Sequence, residues 1–300
     1  MDSSSVDLGP IGIWTAQLDY QPAAQAKEAA AELEQLGFEA IWFPESVGRE
    51  ALTHAGLLLA ATRRIMIATG IANIYARDPV TMAAGQKTLA EAYSGRFLLG
   101  LGVSHIPLVE QIRGHSYGKP VASMRTYLDG MDQAPYRAVP PSVNPIRVLA
   151  ALGPQMLRLA AERAQGAHSY FVPPEHTARA REILGKDRLL AVEQAIVLET
   201  IPAKAREIAR GHTSRYLALA NYVNNLRRLG FTDDDFVNGG SNRLVDAIVA
   251  WGDMTAIIER IRAHQSAGAD HVCVQVLPPD PQALPLPQWR ELAPALLRAN

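Results

Sequence analysis

Cysteine, net charge and long apolar runs are all scarce in this 300-residue chain. The only cysteine, Cys273, excludes an internal disulfide, so the fold does not depend on an oxidising compartment. The net charge of -1 gives no reason to expect nucleic acid or an anionic membrane as a partner. No apolar run is long enough to span a bilayer, and the polar start at 1–7 lacks a secretory signal pattern. We therefore expect a cytoplasmic protein.

Motifs for catalytic metals and for phosphate loops are absent as well. The sequence contains no HExxH, no CxxC, no P-loop and no acidic cluster with metal-ligand spacing. Glu45, His105 and His168 leave a metal site open as an alternative, but we predict no metal. A hydrolase with paired carboxylates is poorly supported, because only Glu45 stands out at a predicted strand end.

Short apolar runs alternate with helical segments along the chain, which indicates a parallel α/β fold. Eight strands are predicted, at 11–15, 40–43, 65–74, 97–105, 146–152, 166–172, 189–198 and 271–277. Eight strands with helical partners predict a (β/α)8 TIM barrel. An open doubly wound sheet is the alternative, but no GxGxxG turn follows the first strand.

The predicted barrel is a single domain over residues 1–300, with its core at about 10–279. Residues 1–8 are expected to be flexible, and 280–300 to form a C-terminal extension that ends in a helix at 293–299. An insertion with a proline-rich crossing at 135–145 separates strands 4 and 5. Extra helices precede strand 8, including one predicted at 243–251.

The fourth strand carries the clearest sign of a binding site. Gly100 and Gly102 leave its end without side chains, which often marks the close approach of a ligand. Ser104 and His105 follow directly, so we predict that 102–105 forms part of a site floor at the carboxyl ends of the strands. The other strand ends contribute aromatic, small and polar side chains: Trp14, Gln17, Glu45, Ser46, Ala72, Asn73, Gly153, His168 and Tyr170.

A helix start follows the fifth strand at Gly153, Pro154, Gln155 and Met156. Free backbone N–H groups and the positive end of the helix dipole make such a start a good seat for a phosphate. An ordinary helix start with an early proline is the alternative interpretation.

Taken in order, seven segments resemble the bacterial luciferase-like flavin and deazaflavin enzymes, in particular the coenzyme F420-dependent oxidoreductases of mycobacteria and other actinobacteria. The segments are GIW at 12–14, AIWFPE at 40–45, TGIANI at 69–74, RDP at 77–79, FLLGLGVSH at 97–105, LAALGPQML at 149–157 and GAH at 166–168. The resemblance implies a luciferase-like barrel with the cofactor ring over the strand ends.

The resemblance also assigns roles to the residues of these segments. It implies a non-proline cis peptide at Ala72–Asn73 behind the ring, and it gives Glu45 or His105 the acid/base role. The implied cofactor-binding residues are Trp14, Ala72, Asn73, Gly102, Val103, Ser104, Gly153, Pro154, Gln155, Met156 and His168. Trp14, Glu45 and His105 would line the substrate side.

The function implied is hydride transfer between coenzyme F420 and a small organic substrate, with a homodimer assembled through the early helices. Two alternatives stay open: an FMN-dependent monooxygenase of the same fold, and a barrel that binds a ligand without catalysis. No lysine-rich patch matches the acidic tail of the deazaflavin, for which Arg77, Arg113 and Lys119 are scattered candidates. The individual sequence between strands 4 and 5 leaves the substrate undefined.

Overall fold

Eight parallel strands close into a barrel in the computed structural model, which describes residues 8–297. The described residues form ten strands, eight of which make the closed ring. The ten are β1 Ile11–Trp14, β2 Ala40–Phe43, β3 Met66–Thr69, β4 Ala72–Asn73, β5 Phe97–Gly102, β6 Ile146–Ala150, β7 Gly166–Ser169, β8 Leu189–Val197, β9 Val249–Trp251 and β10 His271–Val276. The barrel closes because β10 pairs with both β1 and β8. Two short strands add to this ring, since β4 pairs with β5 and β9 pairs with β8. The predicted TIM barrel is confirmed.

Helices connect the strands and cover the outside of the barrel. They are α1 Ala23–Leu36, α2 Ala51–Ala61, α3 Pro79–Ala92, α4 Pro120–Asp132, α5 Pro154–Arg163, α6 Pro174–Leu184, α7 Pro202–Leu217, α8 Ala220–Arg228, α9 Asn242–Ile248, α10 Met254–Ser266 and α11 Leu286–Leu296. Five of them, α3 to α7, begin at a proline, where the missing N–H costs nothing and the fixed φ suits a first turn.

Three predicted boundaries are wrong. The strand predicted at 65–74 is broken at 70–71 into β3 and β4. The helix predicted at 243–251 ends at Ile248, and its last three apolar residues form β9 because they extend the ladder of β8. The C-terminal helix begins at 286 rather than 293. Most of the segment expected to be flexible, 1–7, lies outside the described residues, as do 298–300.

The lower half of the barrel interior is filled by large rings. The Nε1 of Trp42 donates to the Nε2 of His271 at 3.1 Å, and the ring of His168 stacks on Trp42 at 4.5 Å. Trp42 and His271 pair with each other and pack against the ring of His168, so this part of the interior is filled and the space for a site is at the carboxyl ends of the strands. Among residues 8–297, no helix has the length and apolar character needed to cross a membrane.

Candidate active site

A cavity of about 960 Å³ opens at the carboxyl ends of the strands. Strand ends form its floor, and α7 with the start of α8 covers one side. The side chains that line its deeper part are Trp14, Glu45, Gly70, Ile71, Ser104, His105, Ala150, His168, Tyr170, His212, Tyr216, Tyr222 and Gln275. Eight of the residues predicted at strand ends line this cavity: Trp14, Gln17, Glu45, Ser46, Ser104, His105, His168 and Tyr170.

The floor of the cavity is built around Gly70. A Cβ placed on this glycine would lie 2.6 Å from the Nε1 of Trp14 and 3.2 Å from the Nε2 of His168, so any larger residue would displace both rings. Trp14 and His168 are 4% and 1% exposed, and neither of these two nitrogens has a hydrogen-bond partner among the described residues. Buried polar atoms are normally paired, so these two nitrogens indicate a place for a bound polar group.

The predicted contact of Gly102 with a ligand is indirect. The space where its Cβ would be is filled by Ile71, whose Cδ1 lies 2.5 Å from that point, and Ile71 lines the cavity. Gly100 is bare for a similar reason, since its Cβ would lie 2.0 Å from the carbonyl oxygen of Thr69. Both glycines therefore serve the close approach of 69–71 to β5.

The structure corrects the position of the cis peptide bond. It joins Gly70 and Ile71 rather than Ala72 and Asn73, which form the short strand β4. A strand residue must be extended to pair with its neighbour, and Ala72 and Asn73 pair in register with β5. Neither residue lines the cavity, and the side chain of Asn73 instead accepts the N–H of Tyr75 at 2.9 Å.

Glu45 lies at the cavity wall, but its carboxylate is fully engaged. It accepts the backbone N–H of Ala51 at 3.1 Å and that of Asn73 at 2.8 Å. It also forms an ion pair with Arg77, which in turn lies 2.6 Å from Glu50. We call Glu45, together with Arg77 and Asn73, which lie behind it and do not line the cavity, the anchored wall. The contacts of Glu45 fix the ends of β2 and β4 against each other. Both of its carboxylate oxygens already have partners.

Ser104 and His105 reach the cavity from the end of β5. Ser104 has a φ of 59°, a left-handed conformation that is unusual for a residue with a side chain. Its carbonyl oxygen accepts the hydroxyl of Tyr117 at 3.2 Å. His105 bonds to the side chain of Asn221, and its Nδ1 has no partner among residues 8–297. Burial lowers the pKa of His105, so the ring is neutral at pH 7 and can take up a proton.

The opposite wall consists of residues that sequence reasoning mostly missed. Tyr170 follows β7, Tyr216 lies on α7, Tyr222 lies on α8 and Gln275 lies on β10. We call these four residues the phenol wall. The rings of Tyr170 and Tyr216 are 5.1 Å apart, and that of Tyr170 is 5.0 Å from Trp14. Only Tyr170 could be assigned to the site from sequence, because it follows a predicted strand. The other three do not stand out in the sequence.

The buried titratable groups around the phenol wall are uncharged at pH 7. Burial lowers the pKa of His168 and His212 to about 3 and raises that of Tyr216 to about 12. Burial also raises the pKa of Glu193, which lies beneath the phenol wall, to about 8. Its Oε2 accepts the N–H of Phe171 at 3.0 Å, whereas its Oε1 has no partner among the described residues. Apart from Glu45, the charged lining residues are half-buried or exposed: Glu199, Lys204, Glu207 and Arg215.

The predicted phosphate seat at Gly153 to Met156 is outside the lining of the cavity, although Ala150 on the same strand is part of it. Gly153 precedes the first turn of α5, and a Cβ placed there would lie 3.6 Å from the Nη1 of Arg228. The backbone of Arg228 accepts the guanidinium of Arg179 at 2.7 Å. Neither arginine forms an ion pair within residues 8–297. The helix start is therefore flanked by unpaired positive charge. Within the same residues, no group of three or more His, Cys, Asp or Glu is placed to hold a metal.

Comparisons with known sequences agree with this geometry. A profile of the luciferase-like monooxygenase family matches residues 6–271. A Mycobacterium tuberculosis protein named a putative coenzyme F420-dependent oxidoreductase is 29% identical over 204 residues. That match spans 58% of this chain and 58% of the relative, which is less than two thirds of the relative's length.

Solved structures show the same fold. The coenzyme F420-dependent tetrahydromethanopterin reductase of Methanopyrus kandleri has a TM-score of 0.77 at 18% identity, over 97% of this chain and 99% of that one. The oxygenating component of 3,6-diketocamphane monooxygenase of Pseudomonas putida, solved with FMN, has a TM-score of 0.70 at 17% identity, over 96% of each chain. The family profile, in contrast, covers most of this chain and identifies the family directly. The chain belongs to the luciferase-like monooxygenase family.

Proposed function

We propose that the protein is a coenzyme F420-dependent oxidoreductase that transfers a hydride between the deazaflavin and a small organic substrate. The observation that carries this proposal is the floor at Gly70, where two buried ring nitrogens, Trp14 Nε1 and His168 Nε2, have no partner among the described residues. A flat heterocycle with carbonyl and nitrogen groups is a suitable partner for such atoms. When bound, the deazaflavin supplies the carbon that accepts or donates the hydride.

Residues of this chain would shield the cofactor ring, exchange a proton with the substrate and hold the strand ends in place. Trp14, Ile71 and Tyr170 would cover the ring and exclude water from it. His105 is the candidate for exchanging the substrate proton, because its Nδ1 is unpaired and the neutral ring can accept one. For Glu45 we propose a positioning role, since Arg77 and two backbone N–H groups already occupy its carboxylate.

The start of α5 would hold the phosphate of the cofactor. The free N–H groups of its first turn and the guanidinium of Arg228 converge beside Gly153, where the absent Cβ leaves room for an anion. Gln155 and Met156 belong to that first turn, and Pro154 presets its φ. The positive charge of Arg228 supports the phosphate seat independently of the helix dipole.

The cofactor assignment is tested by fluorescence titration with coenzyme F420 and with FMN. We expect tight binding of the deazaflavin and weak binding of FMN. The opposite preference, together with oxygen consumption by the reduced complex, would replace the proposal with an FMN-dependent monooxygenase.

The phosphate seat is tested with Arg228→Gln. A lost charge-assisted hydrogen bond is worth about 1.5–3 kcal/mol, so F420 affinity should fall about tenfold or more. Affinity for the deazariboflavin precursor that lacks the phosphate should stay the same. Arg227→Gln is the matched control, because that neighbouring arginine pairs with Asp233 instead, at 2.6 Å. Equal losses for both ligands would place the phosphate elsewhere.

We keep the homodimer as a prediction that rests on the family resemblance. Light scattering during size-exclusion chromatography would measure the mass of the particle. A monomer at micromolar concentration would contradict it.

A further inference from the structure

Three polar groups in the phenol wall form one hydrogen-bonded chain inside the cavity. The hydroxyl of Tyr170 donates to the Oε1 of Gln275 at 2.8 Å and lies 2.7 Å from the hydroxyl of Tyr216. A phenol carries one proton, and Tyr170 uses its proton toward Gln275, whose oxygen only accepts. Tyr216 must therefore be the donor to Tyr170. In this direction, the hydroxyl of Tyr216 presents only lone pairs to the cavity.

The direction of this chain can be reversed by one rotation. The side-chain amide of Gln275 has no hydrogen-bond partner other than Tyr170 within residues 8–297, so a half-turn about its last bond breaks no further contact. The amide Nε2 then donates to Tyr170, and Tyr170 donates to Tyr216. The hydroxyl of Tyr216 is left with a free proton that points to an acceptor in the cavity.

These two directions match the two oxidation states of one kind of substrate. An alcohol presents an O–H donor, whereas the carbonyl compound formed by loss of a hydride and a proton presents only an acceptor. In one direction, the hydrogen-bonded series accepts the O–H of the alcohol at Tyr216. In the other direction, Tyr216 donates its own O–H to the carbonyl oxygen. No proton leaves the three residues when the direction changes, because each hydroxyl keeps one proton throughout.

The surroundings favour an uncharged substrate. Burial raises the pKa of Tyr170 and Tyr222 well above the ordinary value, and it lowers the pKa of His212 to about 3, so these groups carry no charge at pH 7. A charged substrate group would lose its hydration here without gaining a buried ionic partner. The cations that line the cavity, Lys204 and Arg215, are both exposed to solvent.

We propose that Tyr216, Tyr170 and Gln275 form a polarity-reversible binding site for the reacting oxygen of an uncharged alcohol or carbonyl substrate. This inference rests on the proposed hydride transfer, and it assigns the substrate class to the phenol wall. Tyr216 contacts the substrate oxygen, and Gln275 sets the direction of the chain as a positioning residue.

Binding to the cofactor-free protein tests the site without any turnover. The probes are neutral cyclic ketones of increasing size, from cyclohexanone to 2-decalone, each compared with the isostere that carries an exocyclic methylene in place of the oxygen. A hydrogen bond whose loss leaves a polar group unpaired is worth about 1–3 kcal/mol, so each ketone that fits should bind about tenfold tighter than its isostere. Calorimetry measures both affinities. Tyr216→Phe should abolish this preference, and Tyr222→Phe, the same change beside the chain, should retain it.

The variant Gln275→Glu tests the reversal itself. An ionised carboxylate has nearly the shape of the amide but only accepts, so it fixes the direction in which Tyr216 presents lone pairs. Wild-type protein should bind cyclohexanol and cyclohexanone with similar affinity at every pH, and the variant should come to prefer the alcohol, by about tenfold, as the pH is raised from 7 to 10 and its buried carboxyl group ionises. Cyclohexanecarboxylate should bind both proteins at least about tenfold more weakly than the neutral probes, because the cations that line the cavity, Lys204 and Arg215, are exposed and replace little of the hydration that the carboxylate loses.

Two outcomes would overturn the inference. One is that no ketone in the series binds better than its methylene isostere. The other is that Tyr216→Phe, shown by circular dichroism to be folded, keeps the full ketone preference. Failure of the proposed function is seen separately, in the F420 titration: if the deazaflavin does not bind while the ketone preference holds, the oxygen site stands and hydride transfer by F420 does not.

Discussion

The two walls of the cavity are held by opposite kinds of interaction. The anchored wall joins strand ends through a buried ion pair, with Glu45 and Arg77 side chains only 3% and 8% exposed. The phenol wall joins Tyr170, Tyr216 and Gln275 through neutral hydrogen bonds, and two of its members come from the helices that cover the cavity. A buried ion pair has one favourable geometry. Hydroxyl and amide groups, in contrast, can exchange their donor and acceptor roles by rotation about a single bond.

This difference separates a rigid side of the site from an adaptable one. Glu45 connects the end of β2 with Ala51 and Asn73, so movement of any one of them would leave a buried charge with fewer partners. The hydrogen bonds of Tyr216 and Tyr170 cost little to rearrange, because both partners stay satisfied in either direction. A cofactor needs the rigid side for its position, and a substrate that changes oxidation state needs the adaptable side.

Breaking the anchored wall should give the largest loss of stability. Arg77→Met removes the cation from the buried carboxylate of Glu45, and breaking such a pair costs about 3–5 kcal/mol. Urea denaturation would measure the fall in the free energy of unfolding. Arg125→Met is the matched control, because its pair with Glu162 is about half exposed and should contribute less than about 1 kcal/mol. Equal losses for the two variants would show that the anchored wall is no stronger than a surface pair.

Filling the floor between the walls should give the next largest effect. In Gly70→Ala the new Cβ meets Trp14 Nε1 at 2.6 Å and His168 Nε2 at 3.2 Å, and both rings are packed too tightly to move freely. Overpacking of this kind costs about 1–3 kcal/mol. The F420 titration should show a parallel loss of affinity, because the two ring nitrogens are displaced. Gly56→Ala, whose Cβ would be 3.7 Å from Leu89, serves as the control and should be neutral or slightly stabilising. Retained affinity in Gly70→Ala would remove the two rings from the proposed cofactor floor.

The sequence predicted the barrel and the floor of the cavity far better than either wall, since it gave Glu45 an acid/base role and did not foresee its contacts with Arg77 and Asn73. Strand ends of a parallel barrel meet at one face, so Trp14 and His168 could be placed together from the positions of their strands alone. Tyr216 and Gln275 meet Tyr170 only because β10 closes the barrel beside β8 and α7 folds back over its mouth. No local pattern encodes that approach. The misassigned strand β9 has the same cause, since a short apolar run pairs with β8 only through tertiary contact.

The buried acid beneath the phenol wall should make stability depend on pH. Glu193 has a folded pKa of about 8 against an ordinary 4.5, so the folded protein holds a proton that the unfolded chain releases. Stability therefore falls by about 1.4 kcal/mol per pH unit as the pH rises between these values. The buried histidines have lowered pKa values and act in the opposite direction, because their unfolded forms lose protons as the pH rises through 6.5, so a variant that lacks only the carboxyl group is needed to isolate Glu193.

Glu193→Gln tests this assignment because the amide cannot ionise. Its free energy of unfolding relative to wild type should rise by about 1.4 kcal/mol between pH 6.5 and 7.5, as measured by urea denaturation at both values. The exposed Glu162→Gln should show no such change, since its side chain is 56% exposed. A constant difference between Glu193→Gln and wild type would mean that Glu193 is already ionised at pH 6.5, and the phenol wall would then border a negative charge.

The smallest expected effect concerns the helix that carries the phenol wall over the cavity. Gly211 lies within α7, faces the cavity and would meet nothing within 4 Å if it carried a Cβ. A glycine inside a helix is less stable than alanine by about 0.5–1 kcal/mol, mainly because the unfolded chain has more freedom to lose. Gly211→Ala should therefore raise the free energy of unfolding by that amount and leave F420 affinity unchanged. If the variant also slows the binding of large ketones relative to cyclohexanone, large probes enter the cavity past Gly211, where the added methyl group narrows the path. If all probes bind at wild-type rates, neither the added methyl group nor the lost freedom of the glycine limits entry, and the adaptability of the phenol wall resides in its hydrogen bonds.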